Sequence, residues 1–196
     1  DYMQKVKNVL SKQIQLMQKF IQEFDEESLE RIYAELPEMK KTLVKIIEND
    51  TDKLVEKWKN EQYEPYKAFP ENMIYETEKG EMVRSKSEVI IANVLYHHRE
   101  ILEYRYEKPL KLKTKDGKYV VVHPDFTIIN KKTGKIFYYE HAGYMSDAKY
   151  ASDFVKKINL YSSNNIIQGS QLLVSYEAED ASLDINCVKK LVRSII

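Results

Sequence analysis

The chain has 196 residues, 43% of them hydrophobic and 32% charged, which suits one ordinary domain with a modest appendage. Lysine plus arginine equals aspartate plus glutamate at 31 each, which excludes a uniformly basic nucleic-acid coat and leaves room only for a local basic face. The single Cys187 permits no intrachain disulfide, the four scattered histidines make no zinc cluster, and no apolar run reaches the roughly eighteen residues of a membrane span, so the expectation is a globular protein of the reducing cytoplasm.

From Tyr2 to Phe24 the apolar residues Met3, Val6, Leu10, Ile14, Met17, Ile21 and Phe24 recur at steps of three and four, with Gln and Lys between them. This spacing predicts an amphipathic helix, lysine-rich and unlike a signal peptide. A second series, Leu29, Ile32, Leu36, Met39, Leu43 and Ile46, continues through Pro37, which should kink or restart the helix. Thr51 is then expected to cap a third, short helix carrying Leu54, Val55 and Trp58. Residues 1–62 read as a helical arm. It either packs on itself or on the rest of the chain, or forms a coiled coil that joins two copies or grips a partner, although the charges flanking the stripe are not cleanly complementary.

Between Gln62 and Gly80 the periodicity stops at a connector bearing Tyr63, Pro65, Tyr66, Phe69 and Pro70, and a second domain is read over 63–196. The pattern there is helix SKSEVIIANVLYHH, strand EYRYEKPLKL, strand KYVVVHPDFTII, strand KIFYYEHA, helix DAKYASDFVKKINLYSS, strand QLLVSYE and helix DINCVKKLVRSI. The order is αβββαβα, a mixed α/β class, with turn signals KDGK and KKTG at the first two strand joints.

Two acids, Asp125 and Glu140, lie inside these apolar strands. If KKTG is a four-residue hairpin loop, Asn130 pairs with Lys135, paired residue numbers sum to 265, and Asp125 falls opposite Glu140. Opposed side chains on one face have Cβ atoms about 4.5–5.5 Å apart, where two carboxylates repel unless something compensates. A hard divalent cation such as Mg²⁺ or Mn²⁺ takes oxygen ligands and turns that repulsion into a site. The ordinary alternative is a pair of solvated acids on an exposed face. Pro124 speaks for the site, because it removes a ladder donor and favours an interrupted strand that aims Asp125 out of the pleat. A third acid, Glu88, fits a capping box with Ser85 at the start of its helix.

These blocks, RSKSE opening a helix, PDF in one strand, YEHAGYM in the next and KKINLY in the following helix, resemble the PD-(D/E)XK nuclease superfamily. More narrowly, they resemble a bacterial group, common in Firmicutes, with RSKSE, PDF and EH-x-G signatures; the likeness spans roughly Tyr75 to Ile196. The resemblance implies a restriction-endonuclease-like core with a mixed sheet. It also implies that Asp125 and Glu140, with the backbone carbonyl of His141, bind Mg²⁺ or Mn²⁺, and that Glu88 assists directly or through water. The family lysine would stand two residues after Glu140, where this chain has Ala142. Lys157, one helical turn before Tyr161, is the candidate for a migrated lysine, with Lys86 and Lys108 as rivals. The activity implied is metal-dependent hydrolysis of phosphodiester bonds, in DNA by preference, with Arg84, Lys86, Lys108, Lys111 and Lys113 contacting phosphates. The alternative is a nucleic-acid-binding or assembly module that keeps the fold without turnover, which Ala142 favours.

Overall fold

The computed structural model describes residues 2–23, 31, 35–37, 50–64, 66, 71 and 73–196. The chain divides into two compact units, Asp1–Glu48 and Asn49–Ile196. In the first unit the predicted stripe forms helix α1 (Tyr2–Glu23), on which Met3, Leu10, Ile14, Met17 and Ile21 are all exposed. Of the second apolar series only Leu36 falls among the described residues. It sits in a bend just after the point where Glu35 N–H donates to Arg31 C=O at 3.0 Å, directly before Pro37 where the interruption is expected.

The second unit begins with helix α2 (Asp50–Asn60). Thr51 lies within this helix rather than capping it, because Asp50 already has helical backbone. Val55 and Trp58, an i,i+3 pair on one face, are buried against Ile129 and Ile136 of the sheet. A short antiparallel pair, β1 (Tyr75–Glu76) and β2 (Met82–Val83), leads into α3 (Lys86–His97). The expected capping box is present: Ser85 Oγ accepts from Glu88 N–H at 3.1 Å, and Glu88 Oε2 accepts from Ser85 N–H at 3.1 Å. Caps of this kind contribute about 1 kcal/mol and fix where the helix starts.

Leu102, Tyr104 and Tyr106 are buried and alternate with half-buried Glu103 and Arg105, as a strand with two unlike faces requires. This strand, β3 (Leu102–Tyr106), opens a four-stranded sheet of order β3-β6-β7-β8, formed with β6 (Phe126–Asn130), β7 (Ile136–Ala142) and β8 (Leu172–Tyr176). The first three strands are mutually antiparallel, and β8 runs parallel to β7 after the crossover helix α4 (Ala148–Ser163). On one face the sheet packs Tyr104, Phe126, Tyr139 and Leu173 against Ile91 and Leu95 of α3 and against Val188 and Val192 of the last helix, α5 (Ile185–Arg193). On the other, Ala142, Leu172 and Val174 meet Phe154 and Tyr161 of α4.

The two long strands read from sequence are each broken. EYRYEKPLKL divides into β3 and β4 (Leu110–Lys113), and KYVVVHPDFTII into β5 (Tyr119–Val122) and β6, with β4 and β5 paired as a separate antiparallel ribbon. The breaks coincide. Glu107 takes a positive φ of 46°, one residue before Lys108-Pro109, and donates its N–H to Asp125 C=O at 3.1 Å, beside His123-Pro124. Proline withholds a ladder donor and pushes its predecessor out of regular pairing, so both strands turn at one level and Asp125 is left at the fracture.

Candidate active site

The β6–β7 register pairs Phe126 with Tyr139, Thr127 with Tyr138, Ile128 with Phe137 and Ile129 with Ile136, so every pair sums to 265 as expected. Asn130 N–H donates to Lys135 C=O at 2.9 Å and Gly134, at φ +67°, closes the turn. Continuing the register by one residue sets Asp125 opposite Glu140. Because Tyr139 faces α3 and α5, alternation turns Glu140 toward α4, and Asp125, in the bend just before β6, lies close enough for its carboxyl to feel the Glu140 and Lys157 charges.

Glu140 is 2% exposed and both its oxygens are occupied. Lys157 Nζ donates to Oε2 at 2.7 Å and Tyr161 O–H donates to Oε1 at 2.6 Å. Lys157 and Tyr161 are four residues apart on α4, one turn, which lets one helix face hold the whole carboxylate. The lysine therefore approaches from the helix. The position two residues after Glu140 is filled by Ala142, fully buried in the cluster that packs on α4. Lys157 also reaches the His123 carbonyl at 3.4 Å, across the strand break.

Asp125 is half-buried. Its Oδ2 accepts the His141 N–H at 2.5 Å, and its other oxygen has no hydrogen-bond partner among the described residues. Burial, with the nearby Glu140 charge, pushes its carboxyl well above the usual range, and Lys157 and the His141 N–H only partly offset this. Burial likewise raises the Glu140 carboxyl, against the pull of Lys157 and Tyr161. Burial lowers the Lys157 ammonium, but Glu140 and Asp125 outweigh it and hold the group above its ordinary value, hence charged.

Glu88 is brought to the edge of this site without joining it as a third carboxylate. Its Oε2 accepts from Arg84 N–H at 2.7 Å, Ser85 N–H and Tyr106 O–H at 2.9 Å, so it serves the helix cap. Its charge nevertheless contributes to the raised Asp125 carboxyl. No cluster of three or more His, Cys, Asp or Glu side chains disposed for a metal occurs among the described residues. A divalent ion here would rest on two carboxylates and a carbonyl instead. That donor set fits in its chemistry: a repelling pair of acids, Glu140 buried and Asp125 half-buried with an oxygen unpaired among the described residues, beside the His141 carbonyl, to which Tyr150 O–H donates at 3.5 Å.

The other face of the same strand carries residues that sequence reasoning passed over. The His141 side chain, 5% exposed, places Nδ1 2.8 Å from Ser175 Oγ and Nε2 2.7 Å from Glu177 Oε2. Glu177 Oε2 also accepts from Ser87 O–H at 2.7 Å, and Oε1 from Leu183 N–H at 2.9 Å. This network ties the end of β7 to α3 and to the segment before α5, fixing the backbone whose N–H holds Asp125. A Cβ at Gly143 would come within 3.2 Å of His141 Nε2, which explains a glycine two residues on.

The candidate phosphate contacts are scattered in kind. Arg84 is engaged with Glu107 through Nε at 2.9 Å and Nη2 at 3.3 Å, and Lys108 pairs with Glu61 at 2.9 Å. Lys86, Lys111 and Lys113 are exposed. No helix among the described residues is long and apolar enough to cross a membrane. Comparison with family models, curated proteins and solved structures yields no match.

Proposed function

We propose that the second unit is a metal-dependent nuclease that hydrolyses phosphodiester bonds, by preference in DNA. One observation carries the reading: Asp125, in the bend just before β6, lies near Glu140 of the adjacent antiparallel strand, and the Lys157 ammonium lies on Glu140 at 2.7 Å. The helix, three antiparallel strands, crossover helix, parallel strand and final helix supply further support, since that order is expected of a restriction-endonuclease-like core, here with the β4–β5 ribbon inserted.

In this reading Asp125, Glu140 and the His141 carbonyl hold Mg²⁺ or Mn²⁺. Bound there, the ion polarises the phosphate and lowers the pKa of the attacking water. The chain's own groups do the rest. The His141 N–H fixes the Asp125 carboxylate, Tyr161 fixes Glu140, and Lys157 supplies a permanent positive charge where negative charge develops on the phosphate. Glu88 acts through the cap that seats α3. A second reading, a nucleic-acid-binding or assembly module without turnover, is favoured by one feature: Lys157 and Tyr161 already engage both oxygens of Glu140.

The test is incubation of purified protein with end-labelled single- and double-stranded DNA and RNA, with Mg²⁺, Mn²⁺ or chelator. Cleavage that requires the metal and disappears in Asp125→Asn is expected. Binding without cleavage under every condition selects the second reading.

A further inference from the structure

The β4–β5 ribbon leaves the sheet at Asp125 and has two unlike faces. Its register pairs Leu110 with Val122 and Leu112 with Val120, and it pairs Lys111 with Val121 and Lys113 with Tyr119. Leu110, Leu112 and Val122 pack toward Phe154 and Tyr161 of α4. The ribbon is also tied to the end of α4 by a two-way contact: Lys113 N–H donates to Asn164 Oδ1, and Asn164 Nδ2 donates to Lys113 C=O, each at 2.9 Å. The inner face is therefore covered at Leu110, Leu112 and Val122, while Val120 is exposed.

On the outer face the ordinary rule of strand composition is reversed. Tyr119 is 61% exposed and Val121 57%, side by side with two exposed lysines, and the Lys111 ammonium sits 4.8 Å from the Tyr119 ring centre. Over Leu110–Val122 the sequence holds Lys111, Lys113, Lys115 and Lys118 against Asp116, a local excess of positive charge in a chain whose formal net charge is zero. Gly117, at φ +85°, closes the turn that projects Lys115 and Lys118. Ammonium groups alternating with an exposed ring match the recognition of a nucleic-acid strand, with cations tracking phosphates and an aromatic face stacking an unpaired base. A ribbon held against α4 by Leu110, Leu112 and Val122 is not a free two-stranded insert for a duplex groove, so the outer face suits a single strand laid across it.

We infer that the outer face of the β4–β5 ribbon, formed by Lys111, Lys113, Tyr119 and Val121, binds single-stranded nucleic acid and leads it to the carboxylate pair. This rests on the nucleic-acid part of the function proposed above, and it adds the strandedness of the substrate and the surface that selects it.

The experiment is fluorescence anisotropy with the full chain in chelator, so that no cleavage intervenes. The probe is a labelled oligothymidylate of about 20 nucleotides, with a duplex of the same length beside it. Tyr119→Ala should weaken single-strand binding by about 5- to 100-fold, and Tyr119→Phe should restore it, because stacking needs the ring and not the hydroxyl. The double variant Lys111→Ala/Lys113→Ala should flatten the slope of log affinity against log salt by about 1.4, two phosphate contacts fewer on a single strand. Lys132→Ala/Lys135→Ala removes the same charge at the far turn of β6–β7 and should leave the slope unchanged. Affinity for single strands unaltered by the ribbon variants, or duplex bound more tightly than single strand, overturns the inference. Cleavage with ribbon-independent binding would sink the ribbon and spare the nuclease; ribbon-dependent binding without cleavage by any metal would do the reverse.

Discussion

Asp125 and Glu140 are unequal although they lie near each other. Glu140 is neutralised by Lys157 and Tyr161, whereas Asp125 has one backbone donor and keeps an oxygen unpaired among the described residues. Folding thus raises the Asp125 carboxyl above its ordinary value of 3.8, through burial and the Glu140 charge. The folded state then holds this proton more tightly than the unfolded chain. The contribution of this carboxyl to metal-free stability is full below 3.8 and is lost as pH rises through the raised folded value. Asp125→Asn keeps an acceptor for the His141 N–H and does not titrate. In chelator its melting temperature should exceed the parent's by a margin that grows with pH and vanishes near pH 4; a pH-independent difference would contradict this. Tyr161→Phe removes a 2.6 Å hydrogen bond to a buried carboxylate and should cost about 1.5–3 kcal/mol in denaturant unfolding, with a loss below about 0.5 kcal/mol speaking against the assigned contact. Tyr161 was within reach of sequence reasoning through its i+4 spacing from Lys157. His141 with Glu177 was not, because nothing in the chain order announces that residues 36 apart share a hydrogen bond.

Among elements, the β6–β7 hairpin was the most legible, since KKTG sets the loop length and Gly134 supplies the left-handed turn residue, so the register follows from counting. The capping box of α3 was equally plain, being a local pattern with a local cause. The broken strands were not. Pro124 marked one weak point, but the break at Lys108-Pro109 and its coincidence with the first depend on Glu107 holding a positive φ between Asp125 and Arg84, a tertiary arrangement. The cap expected at Thr51 failed for a related reason: Thr51 and Leu54 belong to a helix lying against the hairpin turn, where a Cβ on Gly134 would meet Leu54 Cδ2 at 3.0 Å and Thr51 Cγ2 at 3.4 Å. Gly134→Ala therefore carries both a strained backbone and a contact with α2. It should destabilise by about 1–2 kcal/mol, read by thermal or chemical unfolding, and a stabilised variant would mean that the turn is not as described.

At the scale of the molecule, a formally neutral chain concentrates function in unlike patches. The first unit exposes the apolar stripe of α1, which is the surface a second chain would bury if the arm joins two copies. The second unit places its carboxylate pair where the sheet fractures, next to a lysine-bearing ribbon that leaves from the same point. The order of elements in this unit was readable because hydrophobic period and turn residues agree along it. The division of the chain was less so: α2 lies in the second unit through Val55 and Trp58, whose role is set by distant Ile129. The divalent-cation site proposed at Asp125 and Glu140 is tested most directly by calorimetric titration of the full chain with Mn²⁺ at neutral pH. One ion per second unit is the predicted result, lost in Asp125→Asn and retained in Lys157→Met. Absence of binding by the parent chain, or binding that Asp125→Asn leaves unchanged, would contradict it.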